Sequence, residues 1–506
     1  MIKMWDKLIF YSFILVFFTG FCGARLITVD DDNPADFNNI QAAINSANDG
    51  DVIIVSPGIY RGAGNRDIDF LGKVITVRSI EPDIPAIVAN TVIDCQGSEI
   101  EPHRGFYFHS GENANSILNG LTIKNGYVSD DDGGAILCIN SSPWILNCII
   151  SSNYAVSGGG IYCHGSKAQI SNSLFINNHA FGGGGIFVSG TMSCRGPIVL
   201  NDCMFINNNV TWGGGAGSAS DGCIEAYNCD FISNSAGGGG GALGSLDWGS
   251  LRLTNCVVAG NRAMYEGAIA SGGNNGPMIN CTFVGNRTRY PSDSFPTIGG
   301  SPFMNCIIWN NSNPQLYETE DFASVVYSNI QSGRSGLGNI NIDPCFVDPG
   351  HWDSNGTPDD ANDDFWVNGD YHLKSQGWRW DETANQWTWD NVTSRCIDAG
   401  NPGGSLGDEP LTLDVDPLNR WGENLRIDMG AFGGTAEASM PPYDWALLAD
   451  LDNNGTVDFS DFAELADYWQ SAGENQPGDL NRDGIISFED IVLLANDWLT
   501  ETTWHE

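Results

Sequence analysis

The sequence predicts an all-β stacked solenoid followed by a small all-α module. Three observations predict it. A short phrase, two apolar residues spaced by two and closed by Asn, returns every 25 to 30 residues between Asn153 and Asn311. Glycine triplets follow the first copies, at Gly158–Gly160, Gly183–Gly185 and Gly213–Gly215. Near the C-terminus, two acidic twelve-residue segments begin at Asp450 and Asp479, 29 residues apart.

The chain has 506 residues, which suits a repeat array plus a small domain better than one compact core. Acidic residues number 62 and basic residues 22, a formal net charge of −40. Phosphate backbones and anionic membranes are repelled by such a chain, whereas divalent cations and neutral or cationic partners are compatible with it. Residues 1–24 read as an export signal. Lys3 and Lys7 precede an apolar run, Leu8 to Phe18, that is too short to span a bilayer, and Cys22-Gly23-Ala24 offers small residues for cleavage. Phe21 is too bulky for a lipid-attachment signal at Cys22.

From Asp36 to Ile44 the pattern predicts a short amphipathic helix, followed by the strand Val52–Val55. The phrase itself runs Cys148, Ile150, Asn153, then Ser173, Phe175, Asn178. Later copies centre on Cys203, Cys229, Cys256, Cys281 and Cys306. Residues spaced by two share one strand face, and no helical period lies between copies, so the unit is strand and turn. One such coil cannot bury its apolar face alone, whereas stacked coils can. The cysteines then form an inward column with Ser173 taking one place in it. They read as small buried hydrophobes, since no Cys-x-x-Cys spacing points to metal. The repeated Asn residues predict an amide ladder between coils and left-handed turn geometry. The glycines mark turns too tight for a side chain. Cys194 and Cys223, outside the phrase on consecutive coils, are candidates for a disulfide.

Gly-Gly-Ala/Ile alternating with Phe-x-x-Asn resembles the repeats of polymorphic outer-membrane proteins. More broadly it resembles the pectate-lyase-like right-handed parallel β-helix. The helix and strand at residues 36–55 resemble the cap that closes such solenoids. Cys396-Ile397-Asp398-Ala399-Gly400 and Ile427-Asp428-Met429-Gly430 read as late coils, so the resemblance covers residues 28 to 436 and the β-helix is assigned to residues 25–440.

Met440-Pro441-Pro442 marks the next boundary, and residues 441–506 form the module. Its first loop places oxygen-bearing residues at Asp450, Asp452, Asn454 and Asp461. Thr456 stands at position seven, where the backbone carbonyl is the ligand. The second places Asp479, Asn481, Asp483 and Asp490 likewise, with Ile485 at position seven. Gly455 and Gly484 supply the sharp turn at position six. This is the calcium-loop pattern of an EF-hand. Each loop leads into a helix, with Leu465 and Trp469, and Leu494 and Trp498, on one face. Asp rather than Glu at position twelve, with no helix before each loop, resembles type I dockerin. That resemblance implies calcium binding and a cohesin-like partner. At loop positions ten and eleven the chain has Phe459-Ser460 and Phe488-Glu489, where the family commonly carries small hydroxyl pairs.

No catalytic set stands out in the sequence. Asp130-Asp131-Asp132 reads as a solvated turn before glycines, and His164 as structural. Arg195 is the only basic residue between Lys167 and Arg252, which weakens a lyase reading. The acidic run from Asp353 to Asp364 is a candidate for a further calcium. Trp378, Trp380, Trp387 and Trp389 bracket a turn, so a hairpin places them on one face, as a sugar platform or as a solenoid cap. The sequence thus predicts a secreted calcium-binding protein that binds or degrades polysaccharide, by lyase or glycoside hydrolase chemistry if it is an enzyme. A non-enzymatic, adhesin-like surface protein is the alternative.

Overall fold

The structure is a computed structural model. It describes residues 24–503 apart from 191–195, 273–274, 291, 293–294, 317–323, 359, 362, 417 and 419–421. The export signal to residue 23 and Cys194 of the expected disulfide therefore lie outside the described residues.

Four parallel sheets of 12, 11, 8 and 7 strands run the length of the solenoid. One coil shows the plan. Trp144–Leu146 enters the 12-stranded sheet, Ile149–Ser151 the 11-stranded, Tyr154–Ser157 the 7-stranded and Ile161–His164 the 8-stranded. The next coil stacks each strand in register, pairing Ile150 with Phe175 and Ile161 with Ile186. Inward residues of the phrase are fully buried and stack on themselves. Phe175 lies 4.4 Å from Phe205 with rings nearly parallel, and Phe205 lies 5.2 Å from Phe231. The N-terminal helix runs Ile40–Ser46, not from residue 36, because Asn39 caps it by accepting the Ala42 N–H.

The amide ladder is continuous. Asn153, Asn178, Asn208, Asn234, Asn261 and Asn286 each pass Nδ2 to the next Oδ1 at 2.8–3.0 Å, and Asn311 ends the series. Each Oδ1 from Asn178 to Asn311 also accepts the preceding ladder residue's backbone N–H. From Asn178 onward each Nδ2 also reaches the carbonyl of an inward residue one coil back, as Asn208 does to Phe175. The ladder residues are not the left-handed ones, which corrects the sequence reading. The residue before each takes that role: Ser152, Asn177, Asn207, Ser233, Gly260, Gly285 and Asn310. A second left-handed corner precedes the cysteine column, at Asn147, Asn172, Asp202, Asn228, Asn255, Asn280 and Asn305. The corner turns the chain so that the following residue points inward. The column holds Cys148, Ser173, Cys203, Cys229, Cys256, Cys281 and Cys306, all buried, and ends on Ser328, whose Oγ accepts the Cys306 N–H at 3.0 Å. Gly159 and Gly184 sit where an added Cβ would meet a neighbouring carbonyl oxygen at 2.3 and 2.5 Å.

The coils stop earlier than the sequence suggests. The last parallel strands are Val325–Val326 and Asn329–Ile330, followed by a single parallel bridge from Asn329 to Ile340. The segments at 396–400 and 427–432 add no strands. Residues 346–440 instead form an extension with three antiparallel pairs, laid on the outside of the solenoid. Its short apolar phrases imitate coil strands in sequence but pack outward residues of the coils, such as Ile232, Val257 and Val284. Trp366 covers Gly260 and Gly285, which leave room for its ring. Among the described residues, no helix is long and apolar enough to cross a membrane.

Candidate functional site

Two sites emerge. The first is a cleft of about 680 Å³ between the outer face of the 11-stranded sheet and the extension. On the strand Asp230–Ile232, Phe231 points inward, so Asp230 points out into the cleft. Its register neighbours on the adjacent coils are Met204 and Val257, which give it an apolar setting. Burial, reinforced by the negative charge of Glu382, pushes the Asp230 carboxyl up to about 6. The same cleft is lined by a relay of Asp370, His372 and Glu437. Asp370 Oδ1 is 2.7 Å from His372 Nδ1, and His372 Nε2 is 3.4 Å from Glu437 Oε2. The His372 ring stacks on Phe432 at 3.7 Å. Burial works to raise Asp370, but its bonds to His372 prevail and hold it below the usual carboxylate range. Burial works to lower His372, but its two carboxylate partners prevail and raise it. The cleft therefore carries one carboxyl raised to about 6 and one held below the usual carboxylate range, a division of the kind that separates an acid from an ionised partner.

Sequence reasoning missed this set. Its members, residues 230, 370, 372, 382 and 437, are far apart in the chain and meet only because the extension folds back. The Trp hairpin forms as expected: Arg379–Asp381 pairs with Gln386–Thr388, and Trp380 meets Trp387 edge to face at 5.7 Å. Trp378 is instead tied by its backbone to Met440, while Trp389 is exposed. Asp131 pairs with the buried Arg104, which also bonds the Asp132 carbonyl, so the acidic triplet is structural. His164 bonds Ser189 at 3.0 Å on the outside of a coil.

The second site lies in the C-terminal module, which has its own apolar cluster of Ala449, Leu451, Val457, Leu465, Leu480, Ile486 and Leu494. Asp450, Asp452 and Asp461 bring carboxylate oxygens within 4.8 Å of one another. Burial pushes the Asp450 carboxyl up to about 7 despite the opposing pull of Arg426. The two loops are built alike. Asp450 accepts the N–H groups of Asn454 and Gly455, and Asp479 those of Asp483 and Gly484. Asn454 caps the N–H of Thr456, and Asp483 that of Ile485. Asp461 and Asp490 close capping boxes on the helices Phe459–Asp467 and Phe488–Asn496, and each also reaches back into its loop. Gly455 and Gly484 have φ of +93° and +90°, which a side chain would strain. Asn481 replaces the second acid in loop two but still offers an oxygen. Hard oxygen donors converging in this way suit a hard divalent cation.

Phe459 and Phe488 have a role that the sequence did not reveal. Each packs on the other repeat's tryptophan, Phe459 on Trp498 at 5.0 Å and Phe488 on Trp469 at 5.2 Å. The module also grips the rest of the chain through position four of each loop. Asn453 donates to the carbonyls of Gly338 and Ala399, and Arg482 to those of Pro402 and Leu425.

No family model matches the chain, and no curated protein sequence matches it. Solved structures share its general path. The pectate lyase Pel9A aligns at 16% identity and a TM-score of 0.47, covering 82% of this chain and 97% of its own. The PL6 family alginate lyase AlyGC aligns at 13% identity and 0.34, covering 74% and 57%. A pectin methylesterase from carrot aligns at 13% and 0.31, covering 60% and 88%. These likenesses are too loose to bear on either site.

Proposed function

We propose that the chain is an extracellular polysaccharide-acting protein that hydrolyses glycosidic bonds in the acidic cleft and carries a calcium-loaded, dockerin-like module. The observation that supports this most is that one cleft is lined both by Asp230, raised to about 6, and by Asp370, held low by His372. In this reading Asp230 protonates the leaving oxygen and Asp370 is the ionised partner. His372 orients Asp370 and is itself anchored by Glu437. The many carboxyl groups of the cleft would repel an acidic sugar at the point of cleavage, so hydrolysis fits it better than lyase chemistry. The extracellular setting rests on reading residues 1–24 as an export signal.

In the module, the Asp450, Asp452, Asn454, Thr456 and Asp461 set and the Asp479, Asn481, Asp483, Ile485 and Asp490 set would each hold one calcium. The ion would neutralise carboxylates that otherwise repel one another. A cohesin-like partner is the finer reading of the dockerin resemblance, and it is tested by co-precipitation with calcium and with chelator.

The activity test is a screen of the purified protein on plant and algal polysaccharides. We expect new reducing ends without unsaturated ends. Activity should fall as pH rises above about 6, because Asp230 then loses its proton. Asp230→Asn and Asp370→Asn should each lower the rate by at least about a hundredfold. Unsaturated ends would reject hydrolysis. Polysaccharide retention without cleavage would favour the non-enzymatic, adhesin-like reading.

A further inference from the structure

A second cleft, also about 680 Å³, runs along the 7-stranded sheet. It is divided from the acidic cleft at the corner where Trp366 covers Gly260 and Gly285. Its character is the opposite. Of the 22 basic residues in the chain, three, Arg262, Arg287 and Arg289, line this one groove, with one carboxylate, Asp364, set against Arg287 at its edge. Arg262 and Arg287 are directly paired on adjacent coils. Like charges facing each other across strands cost a sheet stability, and Asp364 offsets part of that cost by pairing with Arg287 and accepting from Arg262 through its carbonyl.

The guanidinium groups are positioned rather than loose. Arg287 Nη1 meets Asp364 Oδ2 at 2.5 Å, and its guanidinium lies 4.3 Å from the Trp352 ring centre. Trp352 is fixed by its own Nε1 bond to the Gly285 carbonyl at 2.7 Å. Arg262 donates to the Asp364 carbonyl at 3.2 Å. Arg289 is exposed, two residues along the same strand direction from Arg287. Ser235, Thr288 and Ser312 add hydroxyl-bearing lining.

We infer that this groove binds a glycan bearing carboxylate or sulfate groups. Guanidinium forks match the paired oxygens of either group, and the neighbouring hydroxyls suit sugar hydroxyls. A nucleic acid is a continuous polyanion and would meet the field of the whole −40 chain, whereas a glycan segment need only satisfy the local patch. The groove binds but does not cleave, and it stands independently of the acidic cleft.

The test is affinity electrophoresis of the full chain in gels containing polygalacturonate, dextran sulfate or neutral dextran. Wild-type protein is expected to be retarded by at least one anionic glycan and not by dextran. The gel that retards it tells carboxylate from sulfate. Arg262→Gln and Arg289→Gln should each weaken retention by about tenfold at unchanged melting temperature. Arg252→Gln, on another sheet, should not weaken it. Asp230→Asn should keep full retention, so loss of hydrolysis and loss of groove binding are separate outcomes. Retention no stronger in the anionic gels than in dextran, or unchanged in both groove variants, overturns the inference.

Discussion

The solenoid and the C-terminal module both repeat a polar residue at fixed spacing, yet they use the repetition in opposite ways. In the ladder, Asn208 donates to Asn234 Oδ1 while its own Oδ1 accepts from Asn178. An amide carries both a donor and an acceptor, so identical copies satisfy one another. In the module, Asp450, Asp452 and Asp461 converge, and an ionised carboxylate only accepts. Identical copies then need backbone amides, protons or a cation. The first device is complete within the chain. In the proposed reading, calcium completes the second. Repetition in a sequence therefore signals self-sufficiency or an external ligand, depending on the chemistry of the repeated group.

The largest expected effect separates the two regions. At a thousandfold excess of calcium over Kd, each site should stabilise the module by about 4 kcal/mol, so two sites give about 8 kcal/mol. Chelation should lower the unfolding transition of residues 443–501 and leave the solenoid transition in place. A common shift of both transitions would erase the contrast.

Breaking the ladder should do the reverse. Asn234→Leu removes the acceptor of the Asn208 N–H and of one of its two Nδ2 bonds, and one donor to the Phe205 carbonyl. We expect a loss of about 3–5 kcal/mol in urea unfolding, independent of calcium. A loss below about 1 kcal/mol would mean that the ladder contributes little.

Between the two regions lies a buried acidic group. Burial pushes Asp398 up to about 7 and Glu409 up to about 8. A pKa raised on folding contributes stability that is present below the unfolded value and is lost as pH rises through the folded one. Stability of the extension should therefore fall as pH rises through about 7 to 8. Hydrogen exchange at residues 396–434, followed from pH 6 upward and corrected for intrinsic rates, checks this. Flat protection would contradict it.

The smallest effect concerns the thiols. Burial holds Cys203, Cys229, Cys256 and Cys281 well above the ordinary thiol range. Native alkylation should spare them and label the half-buried Cys345 first, with no change in stability. The same peptide maps show whether Cys194 and Cys223 are bridged.

The parts that were legible in the sequence are those set by local period. The inward pair Cys229 and Phe231, the ladder Asn234 and both acidic loops follow from spacing alone. The left-handed corner was placed one residue late, because Asn177 and Asn178 look alike in sequence while only the second points inward. The end of the solenoid was misplaced because Ile427 to Phe432 has the composition of a coil but none of its partners. The acidic cleft was not legible at all. Asp230 looks like any outward strand residue until the extension brings Glu382 and Asp370 to the same cleft.

The central contrast is tested most directly by calorimetric titration of calcium into the full chain. We expect about two sites for the wild type, one for Asp450→Ala and one for Asp479→Ala, and an unchanged two for Asn234→Leu. Absence of binding heat, or a stoichiometry unaffected by either aspartate substitution, would contradict the account of the module.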